Sequence, residues 1–305
     1  MIRLAAIFLF ISNLSFAAYA QERVVIGTQR LSENGALFLA AAQGYFKAEG
    51  IDLAMTAYDS DKAVAEMLAA QAREKRGYEG NQIIASSIGV QKGLRKFDNL
   101  ADKTVAIDVL GSTAHYQLMQ IARIRHVDPS RITVKALGTV DAIARAVGTE
   151  QVDAAIMPSL YARELLMANQ AKFLGWYSEL DEQQLGALFV SKKMLETRRA
   201  VVEKFVNAYR HGAADYAAAL LRKDRGQKRI SDIKSKEAAT TIAHYVYPGR
   251  GTDAAATVEL GAYYIDPQAR LDVADVARQI AWYKAQGLID KAVDARTVVD
   301  ESFVK

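Results

Sequence analysis

The sequence of 305 residues contains no cysteine, so neither a disulfide bond nor a thiolate metal ligand can contribute to its structure. It contains only four prolines and no low-complexity run. We therefore expect separate folding units, if present, to be joined by strands rather than by a flexible tether. Stability without disulfides requires buried cores, and 51% hydrophobic residues are ample for them.

Motifs that would carry catalysis or bind a metal are also missing. There is no Gly-x-Ser-x-Gly elbow, no Walker loop and no Gly-x-Gly-x-x-Gly sequence. The four histidines are scattered without an i,i+4 pair, which makes a zinc site unexpected. Carboxylates are plentiful, but no pair stands out as an acid and base couple. We predict no enzyme activity, no cofactor and no metal.

The formal charge is +4, and basic residues cluster between Arg222 and Lys236. Nucleic-acid binding surfaces usually interleave such charges with aromatic residues, which this cluster lacks. We interpret it as a solvated helix face or loop and expect no nucleic-acid partner.

The first twenty residues have the layout of a secretion signal. Arg3 precedes an apolar stretch from Leu4 to Leu14, and a small-x-small sequence ends at Ala20. A membrane span needs about 20 apolar residues, and Ser12 and Asn13 interrupt this stretch too early. We predict cleavage after Ala20 and a protein in an extracytoplasmic space, most simply a bacterial periplasm. With no cysteine at the junction, we expect no lipid anchor.

The remaining 285 residues exceed what one core usually holds, so two lobes are expected. Strands and helices alternate over residues 24–70 and again over residues 101–180, a pattern that predicts parallel sheets with right-handed crossovers. The first run includes a predicted helix from Ala36 to Ala48 and another over residues 62–70. Strands are predicted at Ile51–Tyr58, Asn81–Ser86, Ala171–Trp176 and Gly186–Val190. Further helices are predicted at Val201–Leu221, Glu237–Tyr245, Ala254–Tyr264 and Val273–Gln286.

One segment resembles a known family. Residues Gln43–Leu53, QGYFKAEGIDL, resemble the signature A-x-x-x-G-Y-F-x-x-x-G-I/L-x-V of type II periplasmic solute-binding proteins of ABC importers. The nitrate, taurine and aliphatic-sulfonate branch is the most similar, and it is related to the thiamine-pyrimidine synthesis proteins. Weaker matches follow in the same order at Gly111–Thr113, Gln151–Ile156 and Glu203–Phe205.

The resemblance implies a two-lobed α/β fold, in which each lobe is a mainly parallel sheet flanked by helices and the C-terminus is helical. Lobe 1 would comprise residues 21–85 and 187–305, and lobe 2 residues 86–186. A small solute would bind in the cleft between the lobes and be delivered to an ABC permease. We expect a monomer, and the basic charge and helix N-termini favour an anionic solute such as a sulfonate, nitrate or carboxylate.

The sequence departs from this family in one place. After about residue 68, a strand and a helix of lobe 1 are missing relative to the family pattern. Residues Ala69–Glu74 resemble the strand that should come later. This apparent deletion would remove part of one cleft wall.

The resemblance places candidate ligand-binding residues in three segments. Gly111, Ser112, Thr113 and His115 lie between a predicted strand and helix, where free N–H groups and hydroxyls can bind an anion. The alternative is a simple helix N-cap.

The other two segments also have structural alternatives. Gln29, Arg30, Ser32 and Asn34 either line the cleft, with Arg30 as a charge partner, or form a solvated loop. Ser159 either reaches the ligand or caps the following helix. Arg73 either faces the cleft or, in the interpretation we prefer, forms a surface ion pair with Glu74 or Glu79.

The function that these observations favour is the periplasmic substrate-binding component of an ABC transporter. Three alternatives stay open: a periplasmic sensor, a protein like those of pyrimidine synthesis, and a truncated derivative that binds no ligand.

Overall fold

The computed structural model describes residues 21–58, 72–249 and 252–303. The predicted signal segment 1–20, the predicted helix 62–70 and the position of the apparent deletion lie outside these residues. The strands are β1 Glu22–Gln29, β2 Ile51–Tyr58, β3 Ala72–Glu74, β4 Asn81–Ser86, β5 Lys103–Ile107, β6 Ile132–Ala136, β7 Ala154–Pro158, β8 Ala171–Trp176, β9 Gln183–Gln184 and β10 Tyr264–Ile265. The helices are α1 Gly35–Ala42, α2 Tyr45–Ala48, α3 Ser87–Gln91, α4 Thr113–Ile124, α5 Val140–Gly148, α6 Ser159–Met167, α7 Lys192–Thr197, α8 Arg199–Leu220, α9 Ile233–Val246, α10 Thr252–Leu260, α11 Val273–Ala285 and α12 Ala295–Val298.

The first body combines β1 and β2 with helices from both ends of the chain. The two strands are parallel, in a register that runs from Glu22 opposite Ile51 to Gln29 opposite Tyr58. Helices α1, α8 and α9 share one apolar core with these strands. Within it, the rings of Phe38 and Tyr245 stack with centroids 4.8 Å apart. Residues separated by some 200 positions therefore make one core.

The predicted single helix from Ala36 to Ala48 is wrong in one respect, because it is broken into α1 and α2. Gly44 lies between them in the left-handed conformation, with φ of +75°. Glycine adopts this conformation without a steric penalty and so ends a helix readily. Phe46 is still buried after the break and packs on Phe205 of α8.

The second body is a five-stranded sheet with the order β6-β5-β7-β4-β8. Strand β5 is parallel to β6 and β7, whereas β4 is antiparallel to β7 and β8. Alternate residues point to opposite faces. Ile83 and Ile156 pack with α4 on one face, and Ile84 and Ala155 pack with α5 and α6 on the other. Burial on both faces explains the near-continuous apolar strands of this segment.

A small antiparallel sheet, β10-β3-β9, joins the two bodies. The chain passes from the first body to the second at residues 75–80 and returns at residues 177–182. We call these two segments the connections. The α/β fold with paired bodies and a helical C-terminus agrees with the predicted fold class.

The strand predicted at Gly186–Val190 is wrong, because the strand in this region, β9, ends at Gln184 and residues 185–190 are irregular. Side chains of α11 bind the backbone here. The Gln184 N–H donates to the Asp275 carboxylate at 2.5 Å, and Gln279 Nε2 donates to the Gln184 carbonyl at 2.7 Å. The predicted helix Ala254–Tyr264 is also too long, since α10 ends at Leu260 and Tyr264 begins β10.

Across the described residues, no helix combines the length and the apolar character that crossing a membrane requires.

Candidate functional site

A small pocket lies between the two bodies, and we call it the interbody pocket. Its walls come from the loop after β1, the start of α6, the ends of α9 and α10, and Tyr263. Its volume is about 40 Å³, room for no more than a few water-sized atoms. A larger solute could enter only if the two bodies moved apart.

The loop after β1 places two of the predicted residues, Arg30 and Ser32, on the wall of this pocket. Asn34 instead holds the loop in shape. Its side chain is buried and donates from Nδ2 to the Gln29 carbonyl at 2.7 Å. Neither Asn34 nor Gln29 is on the pocket wall. Arg30 is exposed at the pocket mouth, where its charge faces both solvent and the pocket.

Ser159 lines the interbody pocket from the second body. Its side chain is only 2% exposed. It is the first residue of α6 and not its N-cap, since Pro158 holds the cap position without a side-chain hydrogen bond. The backbone N–H of Ser159 donates to the Gly80 carbonyl at 3.2 Å. Its hydroxyl is therefore positioned beside the pocket by the end of β7 and by a connection.

Acidic and phenolic groups that are not among the predicted site residues also belong to this site. Glu33 and Tyr263 line the pocket, and Glu79 lies behind Ser159. Burial raises the pKa of Glu79, while the charges of Arg163 and Arg229 and the Ser159 hydroxyl lower it in part. Burial, followed by the charges of Glu33, Glu74 and Glu79, raises the pKa of Tyr263 well above its usual range. The Tyr263 phenol therefore stays protonated and can donate a hydrogen bond.

The predicted residues Gly111, Ser112, Thr113 and His115 lie elsewhere, at the N-terminus of α4, and none is on the wall of the interbody pocket. Ser112 is the N-cap, because its hydroxyl oxygen accepts from the His115 N–H at 3.2 Å. The same hydroxyl donates to Asp108. The Gly111 N–H donates to His115 Nδ1 at 2.9 Å. These groups thus bond one another, as the N-cap alternative predicts, and anion binding by them stays a prediction.

Helix α11 covers this helix N-terminus. The centroid of the Trp282 ring lies 5.3 Å from the centroid of the His115 ring and 5.2 Å from that of the Tyr116 ring. Burial lowers the pKa of His115, and the nearby Asp108 charge partly opposes that shift.

A much larger groove, of about 1300 Å³, runs along β1 between residues 184–196 and helices α11 and α12. Its surface is mainly apolar, with Phe189 and Val25 more than half exposed. Binding sites for small polar solutes need converging polar groups. The interbody pocket has such groups from both bodies and is the better candidate despite its size.

Comparison with known proteins gives one family-model match and several structural matches. Residues 81–220 match the family model described as NMT1/THI5 like. No curated protein sequence is significantly similar to the chain. Among solved structures, the ligand-binding component of an ABC-type import system from Staphylococcus aureus superimposes with a TM-score of 0.67 at 11% identity, covering 93% of this chain and 98% of that one.

The periplasmic aliphatic sulphonate binding protein SsuA from Escherichia coli gives the same TM-score, 0.67, at 14% identity, with 92% of each chain covered. The chain has the periplasmic-binding-protein fold. That fold also occurs in an enzyme, the desulfurization enzyme DSZB, with a TM-score of 0.58, 13% identity and coverage of 92% of this chain and 97% of that one. The periplasmic-binding-protein fold alone therefore does not fix the function.

Proposed function

We propose that the chain is the solute-binding component of an ABC importer, which captures a small solute in the interbody pocket and delivers it to a permease. The observation that carries this proposal is the pocket itself, where Ser32 and Ser159 from different bodies meet. Closure of two bodies around a solute is the motion this fold is suited to. The proposal includes export to the periplasm by cleavage after Ala20.

The Ser159 hydroxyl already donates to Glu79, so its oxygen can accept a hydrogen bond from the solute. Arg30 and Ser32 can bind an anionic group of the solute, through a charge at the mouth and a hydroxyl donor. This supports the anion predicted from the sequence. Glu33 and Glu79 add negative charge nearby, so a solute that also carries hydrogen-bond donors would be held better than a simple anion. The two lobes would be the two bodies, with the second lobe beginning at β4 rather than at residue 86, because Asn81–Ser86 pairs with β7 and β8.

The test is thermal unfolding of the chain from Gln21 onward, with and without methanesulfonate, ethanesulfonate, nitrate, small carboxylates, amino-substituted sulfonates and pyrimidines. A solute present at about 100 times its Kd adds about 2.7 kcal/mol of stability, which raises the Tm by several degrees. A cooperative transition that no compound shifts would contradict the proposal, and turnover of a bound compound would favour an enzyme instead.

Variants locate the binding site once a solute is found. Ser159→Ala removes a buried hydroxyl from the pocket wall, and loss of its hydrogen bond to the solute costs about 1–3 kcal/mol, or about 5- to 150-fold in Kd. Arg30→Ala should weaken binding of an anionic solute less, because Arg30 is exposed. Arg95→Ala, an exposed arginine outside the pocket, is the control and should leave Kd unchanged. Equal effects of the three variants would place the solute elsewhere.

A further inference from the structure

Glu74, the last residue of β3, is a carboxyl group with no solvent exposure at all. Its Oε1 accepts the backbone N–H of Asn81 at 2.6 Å and Gln117 Nε2 at 3.4 Å. Its Oε2 is buried and has no hydrogen-bond partner among the described residues. Gly80 leaves it room, because a β-carbon at that position would lie 1.7 Å from Oε2.

The groups around Glu74 belong to both connections and to the second body. Glu74 lies opposite Gln183 in the pairing of β3 with β9. Gln117 of α4 donates from Nε2 to Gln183 Oε1 at 3.1 Å and accepts from Asn81 Nδ2 at 2.8 Å. Glu74 is thus enclosed at one point by groups from three elements. Asn81 follows the connection 75–80, Gln183 follows the connection 177–182, and Gln117 of α4 bonds both.

No cation forms an ion pair with Glu74 among the described residues. Its neighbour Arg73 pairs instead with Asp272, at 2.7 Å, and not with Glu74 or Glu79 as the sequence interpretation predicts. The titratable groups that face Glu74 are the carboxylates Glu33 and Glu79 and the hydroxyls of Tyr177 and Tyr263.

Burial is the main reason that the pKa of Glu74 is raised to about 8. The Asn81 and Gln117 hydrogen bonds lower it in part, and the charges of Glu33 and Glu79 raise it further. At neutral pH the protonated carboxyl therefore predominates, which avoids an unpaired charge in a site that has no water access.

We propose that Glu74 is a proton switch between the two bodies: its neutral form permits the packing of α4 on the connections, and its ionisation loosens that packing. The residues that carry this proposal are Glu74 itself, its unpartnered Oε2, Gly80, and the Asn81–Gln117–Gln183 network. The link to solute binding, described below, rests on the proposed function, whereas the switch itself does not.

The direction of the pH dependence follows from proton linkage. The pKa of Glu74 is raised by folding, so the folded chain holds a proton that the unfolded chain has lost. The contribution of Glu74 to stability is largest below pH 4.5, the ordinary value for glutamate, and decreases until the pH passes about 8. Within that window, one such proton lowers the ratio of folded to unfolded chain tenfold for each pH unit.

The first experiment is urea unfolding of the chain from Gln21 onward between pH 5 and pH 9. In Glu74→Gln, the amide keeps the acceptor for the Asn81 N–H and removes the titration. Between pH 5.5 and pH 7.5, we expect the ratio of folded to unfolded chain to fall by up to tenfold per pH unit in the wild type relative to Glu74→Gln. Glu150→Gln, an exposed glutamate, is the control and should keep the wild-type profile. Parallel profiles for the wild type and Glu74→Gln would overturn the proposal.

A second measurement does not depend on the variant folding. The infrared C=O stretch of a protonated carboxylic acid should be present in the folded wild type at pH 7 and should disappear with a midpoint near pH 8. A wild-type spectrum without a protonated carboxyl at pH 7 would overturn the proposal.

The third experiment tests the link to closure with whichever solute the thermal-shift panel identifies. If opening hydrates Glu74, solute binding near pH 7.5 should take up protons, and Kd should rise with pH. Calorimetry in two buffers of different ionisation enthalpy measures this uptake, which Glu74→Gln should abolish. Binding without proton uptake would overturn the link to closure. Failure of every solute to bind would instead contradict the proposed function and leave the unfolding experiment to decide on the switch.

Discussion

Replacing Gly212 by alanine should destabilise the first body, because α8 lies very close to α1 at this residue. A β-carbon at Gly212 would lie 2.3 Å from the Ala36 carbonyl oxygen and 2.6 Å from the Ala40 β-carbon. Ordinary contacts of these types are at least 1 Å longer. Backbone and β-carbon atoms cannot move aside by changing rotamer, so the two helices would have to separate.

Overpacking of this kind costs about 1–3 kcal/mol, and contact with the α1 backbone favours the upper end. Alanine recovers about 1 kcal/mol of helix propensity relative to glycine. We expect a net loss of about 2 kcal/mol, measured by urea unfolding, together with a decrease of several degrees in the Tm.

Gly148→Ala is the matched control. Gly148 is also helical, at the end of α5, but a β-carbon there would meet only Gln170, at the ordinary distance of 3.4 Å. This substitution should be neutral or stabilise by up to about 1 kcal/mol. If Gly212→Ala is as well tolerated as Gly148→Ala, the close packing of α1 on α8 is refuted.

Three further substitutions test the second body. Ser112→Ala removes the cap of α4 and should lower the free energy of unfolding by about 1 kcal/mol. An unchanged solute Kd in this variant would favour the N-cap interpretation, and a higher Kd would favour ligand binding. The side chain of Asp153 is only 3% exposed, and its carboxylate accepts a hydrogen bond from the Thr104 N–H at 2.8 Å. Asp153→Ala should therefore lower the free energy of unfolding by about 1–3 kcal/mol. Lys92→Ala breaks the ion pair with the same carboxylate, but the Lys92 side chain is 53% exposed. Urea unfolding should therefore show that this variant loses less than about 1 kcal/mol of unfolding free energy. Equal losses for Asp153→Ala and Lys92→Ala would contradict this ranking.

The strands that the sequence predicts best are those with short apolar runs between clear breaks. The prediction and the structure agree at both ends for Ile51–Tyr58, Asn81–Ser86 and Ala171–Trp176. Asn81–Ser86 is buried along its whole length, so its apolar run is short and clear, and tertiary packing and local pattern favour the same structure there.

The errors arise where long-range contacts decide the local structure. The apolar residues Gly186–Val190 have the pattern of a strand, but Asp275 and Gln279 of α11 bind the backbone of β9 just before them. Periodicity within the segment carries no information about a helix about 90 residues away.

The candidate site was predictable only in part for the same reason. Arg30, Ser32 and Ser159 follow strand ends, a position that sequence patterns can recognise. Tyr263 sits between α10 and β10, where an aromatic pair indicates a core as readily as a binding site. Glu74 is in a charged run that predicts a surface ion pair, and only the enclosure by Gln117 and Gln183 reveals its burial.

The division of the first body between two distant parts of the chain also sets an order of folding. Strands β4–β8 and helices α3–α6 are contiguous in sequence, so the second body can form from local contacts as soon as residues 81–176 are available. Helix α1 must wait for α8 and α9, which follow it by more than 150 residues. Until then, β1, β2 and α2 supply only part of the core that buries Leu37 and Phe38, and this interval is when the chain most needs protection from aggregation.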